Sequence, residues 1–209
     1  MIRKILVVAA AVAMPISAVA VTGGFAGAAG ARTAATDTIV CKTITGTVGF
    51  SPKLTSAGHA KGKESISVTG TLGGCTVSGS TKITVTKGAI SGTLVNPSTT
   101  GTCSSIVGNS ADAGPLTVKW TASSTTPNTV LNVKSVTGAT VSGHGSFTIP
   151  GTTKGTASGS FGGTNAGASQ KSVAETSLTA SSNLTTCTHS GLSSFAIQAE
   201  SGKSAVSLG

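Results

Sequence analysis

Residues 65–72 read Ser-Ile-Ser-Val-Thr-Gly-Thr-Leu, with an apolar residue or glycine at every second position and Ser or Thr between them. This period of two is typical of a β-strand with one buried face and one face in water. The same alternation recurs in residues 44–50, 116–121 and 141–149. These stretches predict an all-β protein.

Shorter apolar runs predict further strands, and they bring the total to about ten. They lie at residues 83–85, 90–94, 130–133, 157–161, 173–180 and 195–199. Beyond the N-terminus, no segment carries the apolar stripe of an amphipathic helix, so we expect no helix there. The pattern predicts an antiparallel β-barrel or β-sandwich with about ten strands.

A short motif of Ser or Thr, Gly, Ser or Thr and an apolar residue occurs around Gly46, Gly70, Gly92 and Gly159. Each glycine falls at an inward-facing position, where it weakens a strand unless the backbone requires it. The motif therefore predicts a bend, a bulge or the close approach of another strand. Its irregular spacing does not favour a solenoid or a propeller.

The N-terminus has the order of features of a secretory signal. Arg3 and Lys4 precede an apolar stretch at residues 5–21, and small residues follow as far as Ala31. The stretch has 17 residues, fewer than the roughly 20 of a membrane-spanning helix. We expect a signal peptide at 1–31, a flexible lead-in at 32–38 and one all-β domain at 39–209. The mature protein would be secreted or held in the cell envelope, with no membrane span.

Charge and aromatic content limit the partners. After removal of residues 1–31, 12 basic and five acidic residues remain, a net charge of +7. The basic residues are mostly isolated lysines, and aromatic residues make up only 3% of the chain. Nucleic-acid binding usually requires clustered cations and stacking rings, so we do not expect it. The partner is unknown, and the net charge allows only weak attraction to anionic envelope polymers.

Four cysteines, Cys41, Cys75, Cys103 and Cys187, predict two disulfides in an exported chain. We favour a Cys41–Cys187 bond, which would fasten the first strand beside the last. The second bond would then join Cys75 to Cys103 and tether the long connection at 96–114. Cys41 has the opposite parity to Ile44, which counts against its place in the main core.

Motifs for nucleotide binding and nucleophilic catalysis fail on inspection. Gly202-Lys203-Ser204 resembles the end of a phosphate-binding loop, but Ile197 stands where that loop needs glycine. The chain has no Gly-x-Ser-x-Gly sequence. A Ser–His–Asp triad would have to use Asp37 or Asp112.

Other candidate residues are scattered. The carboxylates that could serve in glycoside hydrolysis are Glu64, Asp112, Glu175 and Glu200, with no acidic cluster in the sequence. We expect His59, His144 and His189 to be solvated surface residues rather than metal ligands. Asn183 begins a glycosylation sequon. The sequence thus predicts no catalytic residue, no metal and no cofactor.

Two stretches carry a family resemblance. Residues 41–54 read Cys-Lys-Thr-Ile-Thr-Gly-Thr-Val-Gly-Phe-Ser-Pro-Lys-Leu, and residues 70–76 read Gly-Thr-Leu-Gly-Gly-Cys-Thr. Together with the Cys-x-x-x-Gly-Leu segment at 187–192, they resemble small secreted proteins of actinobacteria, a largely uncharacterised group. The resemblance implies export and an all-β domain, and it implies no active site.

These observations favour a secreted or envelope-associated, non-enzymatic binding or interaction protein with an unknown ligand. Two other functions stay open at this stage. One is a β-barrel pore of the outer envelope, and the other is a hydrolase with an unrecognised site.

Overall fold

In a computed structural model of the protein, ten strands of the described residues pair into one antiparallel sheet. The structure describes residues 38–62, 64–79, 82–126, 128–154 and 169–208. The predicted signal segment, residues 32–37 of the predicted lead-in and the predicted strand 157–161 with Gly159 lie outside them.

The strands are numbered in chain order. They are β1 Thr38–Leu54, β2 Ser65–Ser78, β3 Val85–Val95, β4 Gly114–Ala122, β5 Thr129–Val133, β6 Thr137–Val141, β7 His144–Lys154, β8 Ser169–Thr179, β9 Leu192–Gln198 and β10 Val206–Leu208. The described residues also form one α-helix, α1 at Ala180–Ser190, and a 3₁₀ helix at Cys103–Ile106.

The strand pairings run round a closed circuit. β1 pairs with β2, β2 with β3, β3 with β4, β4 with β5, β5 with β7, β7 with β8, β8 with β9, and β9 with β1 again. β9 and β10 share one position in this circuit, because β9 pairs with residues 45–54 of β1 and β10 with residues 39–41. The sheet is therefore curled into a barrel, which confirms the predicted antiparallel all-β fold.

Close approach of neighbouring strands explains the repeated glycines. Gly46 of β1 lies opposite Gly70 of β2. A Cβ atom on Gly46 would stand 2.2 Å from the backbone oxygen of Thr69, and one on Gly92 would stand 2.4 Å from that of Pro115. Real side-chain carbons do not approach backbone oxygens so closely, so these positions require glycine.

The buried face changes parity at one end of the barrel. Ile39 and Cys41 are fully buried, Lys42 and Thr43 are both exposed, and burial resumes at Ile44. The neighbouring residue of β2, Gly74, has a φ of 59°, a conformation that glycine adopts without strain. Because of this switch, Cys41 belongs to the core despite its opposite parity to Ile44.

All four cysteines form disulfides, but the predicted pairing is wrong. Cys41 is bonded to Cys75, directly opposite on β2, and Cys103 is bonded to Cys187. The first strand does lie beside the last, as predicted. Backbone pairing achieves this, because β1 pairs with β9, which overlaps the predicted last strand 195–199. β1 also pairs with β10, which was not predicted. The second disulfide, Cys103–Cys187, instead joins the long loop to α1.

Three other predictions of secondary structure are wrong. The predicted strand 83–85 is not separate, because only Val85 is in a strand, where it begins β3. The alternating stretch 141–149 is not one strand, because Ser142 and Gly143 adopt φ values of 49° and 84° and form a turn between β6 and β7. The end of the predicted strand 173–180 begins the unexpected helix α1. Thr179 caps that helix, its side chain accepting a hydrogen bond from the backbone N–H of Ser182. The helix is rich in Ser and Thr, so it carries no apolar stripe.

Candidate functional site

A cavity of about 100 Å³ lies inside the barrel. Inward-facing residues of eight strands, β1 to β4 and β7 to β10, form its apolar wall, because the period-two pattern turns every second side chain inward. The wall includes Val48, Phe50, Val68, Ile90, Phe147 and Phe195. This cavity is the main candidate for a binding site among the described residues.

Three of the aromatic rings meet in this wall. The ring of Phe195 lies 5.5 Å from that of Phe50 and 5.5 Å from that of Phe147, measured between centroids. The chain has only five phenylalanines and one tryptophan. Much of its large, rigid apolar surface is therefore concentrated beside the cavity.

One end of the cavity is polar. Two carboxyl residues, Glu64 and Asp112, line it together with the hydroxyl residues Thr99, Ser105 and Ser110. Glu64 is 2% exposed and Asp112 7%. The Ser110 hydroxyl donates a hydrogen bond to the Asp112 carboxylate, and the Thr99 side chain is hydrogen-bonded to Glu64. The structure thus brings together two of the four scattered carboxylates.

Strand geometry positions Glu64. It precedes β2 and has the same parity as Ile66 and Val68, both of which line the cavity. An acidic residue at an inward position is a signal that the sequence contains and that the sequence analysis did not use. Asp112 offers no such signal, because it lies outside the regular strands.

Residues 96–113, here called the closing loop, cover this end of the barrel. The two ends of the loop are held together, because Val95, just before it, and Ala113, its last residue, exchange backbone hydrogen bonds of 2.9 and 3.0 Å. In its middle, the disulfide joins Cys103 to Cys187 of α1. Ile106 points into the cavity and is almost fully buried. The predicted long connection is therefore both pinned by Cys103 and part of the site.

A second depression, of about 280 Å³, lies against the closing loop. It shares Thr99, Ser105 and Ser110 with the cavity. These three hydroxyl residues therefore separate the cavity from the depression. This shared wall is a candidate entrance for a small molecule.

Burial raises the pKa of the Glu64 carboxyl above its ordinary value of 4.5. The negative charge of Asp112 raises this pKa further, whereas the hydrogen bond from Thr99 and the charge of His59 lower it. The net direction is upward because desolvation is the largest of these effects. Glu64 consequently favours its neutral form more than an exposed glutamate does.

The three histidines differ from one another. His189 of α1 is exposed, as predicted. His144 is half-buried, and its Nδ1 lies 2.7 Å from the backbone oxygen of Thr176. His59 is half-buried, and its buried Nε2 has no hydrogen-bond partner. The prediction of solvated surface histidines is therefore wrong for His59 and His144, because strand and loop backbone surrounds their rings.

No assembled nucleophile emerges from the candidates singled out in the sequence. The hydroxyl of Ser146, a serine that the sequence analysis did not single out, donates to Glu200 at 2.5 Å. Glu200 also forms an ion pair with Lys203 at 2.5 Å. Lys203 therefore belongs to a turn and not to a phosphate-binding loop. Glu175 accepts a hydrogen bond of 2.9 Å from Gln198. Asp37 lies outside the described residues.

The glycosylation sequon is inaccessible in the folded protein. Asn183 is 3% exposed, and its Nδ2 donates to the backbone oxygen of Leu178. In the described part of the chain, no group of three or more His, Cys, Asp and Glu could hold a metal ion. Among the same residues, no helix has the length and apolar character needed to cross a membrane.

The described residues thus define a curled antiparallel β-barrel with an apolar cavity that has one acidic end. Comparison of the chain with protein-family models, with curated proteins and with solved structures gives no match.

Proposed function

We propose that the protein is a secreted or envelope-associated, non-enzymatic binding protein that holds a small apolar ligand inside its barrel. The observation that carries this proposal is the cavity of about 100 Å³ with an apolar wall. Apolar cavities of similar size in other proteins take up small apolar molecules without any catalytic group. A barrel interior of this kind is a common ligand site.

Export is supported by two features. The first is the predicted signal peptide at residues 1–31. The second is the presence of two disulfides, with no free cysteine in the chain. Disulfides persist in oxidising compartments and are rare in the cytoplasm.

The polarity of the two barrel faces favours an aqueous setting over a lipid-embedded pore. A membrane barrel turns apolar residues outward. Here the outward residues of β1 to β3 include Thr45, Thr47, Thr69, Thr71 and Ser91, all exposed, while the apolar residues line the interior. Only three large apolar residues of the described chain are strongly exposed, Val95, Leu178 and Leu184.

The hydrolase alternative is favoured by the carboxyls of Glu64 and Asp112 at the cavity, because paired carboxylates can cleave glycosides. The size of the cavity counts against that activity. A cavity of about 150 Å³ accommodates benzene, and a sugar ring with its hydroxyls is larger than benzene. A screen of ester and glycoside substrates on the mature protein would reveal hydrolysis, and turnover would contradict a purely binding function.

Xenon uptake tests the proposed binding site. Xenon should shift the methyl NMR signals of Val48, Val68 and Ile90, which line the cavity. Ala174→Leu should abolish these shifts, because Ala174 also lines the cavity and the larger side chain would fill it. Ala89→Leu is the matched control, since Ala89 is exposed on β3. Absence of xenon binding, or equal binding by both variants, would overturn the proposal.

A further inference from the structure

We propose that the ligand is a small protonated amine, with its ammonium group between Glu64 and Asp112 and its apolar body against the phenylalanine rings. This inference rests on the proposed binding function and specifies the ligand class.

A positive partner would allow both carboxyls at the acidic end to ionise, which burial opposes in Glu64. Glu64 and Asp112 are both more than nine-tenths buried, and within the described residues neither forms an ion pair, although the charge of His59 acts on Glu64. Buried carboxylates are ordinarily paired, because removal of their charge from water is costly. A cation in the cavity would supply that pairing for both groups at once. A ligand carboxylate could not supply that pairing, because it carries the same charge as an ionised carboxyl.

Hydrogen bonding points to the same ligand class. Both carboxyls already accept a hydrogen bond from a hydroxyl, Glu64 from Thr99 and Asp112 from Ser110. These hydroxyls hold the carboxyl groups in place at the cavity end. A bound cation would favour the ionised form of both carboxyls, which can only accept, so a ligand group that binds both must donate more than one hydrogen bond. An ammonium group donates three and carries the complementary charge.

The rest of the cavity sets the size and polarity of the ligand body. Beyond the acidic end, the wall is apolar and includes Phe50, Phe147 and Phe195. Since about 150 Å³ suffices for the six carbons of benzene, a volume of about 100 Å³ fits roughly four carbons. An amine with a short aliphatic chain satisfies both ends of the cavity. The wall shared with the outer depression, at Thr99, Ser105 and Ser110, is the candidate entrance for such an amine.

Three probes of nearly equal shape test this inference on the unaltered protein. They are n-butylamine, butan-1-ol and butanoate, titrated near neutral pH by calorimetry and methyl NMR. A charge-assisted hydrogen bond predicts that n-butylamine binds roughly ten- to a hundredfold more tightly than butan-1-ol. Butanoate should show no binding. If butan-1-ol or butanoate equals n-butylamine while xenon still binds, the amine inference fails and the binding function stands. If xenon also fails to bind, both fail.

Isosteric variants then locate the ammonium group. Glu64→Gln and Asp112→Asn should each weaken n-butylamine binding about tenfold and leave butan-1-ol within about twofold. Glu175→Gln is the matched control, because Glu175 is also buried but does not line the cavity. Loss of amine binding in the control, or no loss in either cavity variant, would overturn the assignment. The comparison of the three probes needs no variant, so a folding defect in a variant leaves the inference testable.

Discussion

Cys103 of the closing loop is bonded to Cys187 of α1, and this bond joins the cover of the cavity to the helix that precedes β9. The two Cα atoms lie 5.7 Å apart. The other disulfide, Cys41–Cys75, joins two neighbouring strands that are already paired by hydrogen bonds. The two bonds therefore have different roles, one at the closing loop and one within the sheet.

Removal of the Cys103–Cys187 bond by double replacement with serine should speed the exchange of a cavity probe such as xenon. The closing loop would lose its covalent tie to α1 and would open more often. The chain-entropy model also gives a stability loss of up to about 4.5 kcal/mol for this separation of 84 residues. Replacement of Cys41 and Cys75 is the control and should cost up to about 3.8 kcal/mol for its 34 residues. Equal exchange rates in the two double variants would contradict the role given to the closing loop.

Gly46→Ala should destabilise the protein by about 3 kcal/mol, as overpacking of a strand does. The added carbon would lie 2.2 Å from the Thr69 oxygen, so β1 and β2 would have to separate. Gly108→Ala should cost less than about 1 kcal/mol, because there the nearest atom, the Ser104 oxygen, is 3.4 Å away. Urea denaturation of both variants measures the difference, and similar losses would show that β1 and β2 tolerate separation.

Glu64→Gln should change the pH dependence of stability. The raised pKa of Glu64 means that the folded chain keeps a proton that the unfolded chain releases. Stability from this group is full below its ordinary pKa of 4.5 and is lost as the pH rises through the folded-state pKa. The glutamine variant does not titrate at this position, so it should gain stability relative to the wild type as the pH rises from about 4 to 8. Parallel curves of unfolding free energy against pH would contradict this expectation.

His144→Ala should cost about 1 kcal/mol, the usual loss for one buried hydrogen bond. Its Nδ1 lies 2.7 Å from the Thr176 oxygen, and the ring is half-buried between β7 and β8. His189→Ala is the control, since that side chain is exposed and should change stability by less than about 0.5 kcal/mol. Thermal unfolding of the two variants distinguishes them. Equal small changes would mean that both rings are effectively solvated.

The fold was predictable from the sequence wherever apolar and polar side chains alternate along a strand. Ile66, Val68 and Leu72 are buried as their parity indicates. The disulfide pairing was not predictable, because the parity switch beside Gly74 depends on a backbone conformation that no side-chain pattern reveals. The helix α1 was also hidden, since it is held by the Thr179 cap and the Cys187 bond rather than by an apolar stripe.

The candidate site was only partly predictable. Glu64 has the inward parity of β2, so its orientation could have been read from the sequence. Asp112 and Ile106 belong to the closing loop, where no period indicates which side chains turn inward. Their position depends on long-range contacts, namely the Cys103–Cys187 bond and the backbone bonds between Ser110 and Val136. Such contacts form only when distant parts of the chain meet.

The wall shared by the cavity and the outer depression is the expected entrance for a ligand. Ser105 lines both the cavity and the outer depression, so Ser105→Leu should narrow the passage between them. Association and dissociation of n-butylamine should both slow about tenfold, with a smaller change in affinity, because a narrower passage raises the barrier in both directions. Ser98→Leu is the matched control, since Ser98 lines the depression but not the cavity. NMR exchange measurements on both variants give the rates. Slowing of the same size in Ser98→Leu, or none in Ser105→Leu, would place the entrance elsewhere on the barrel.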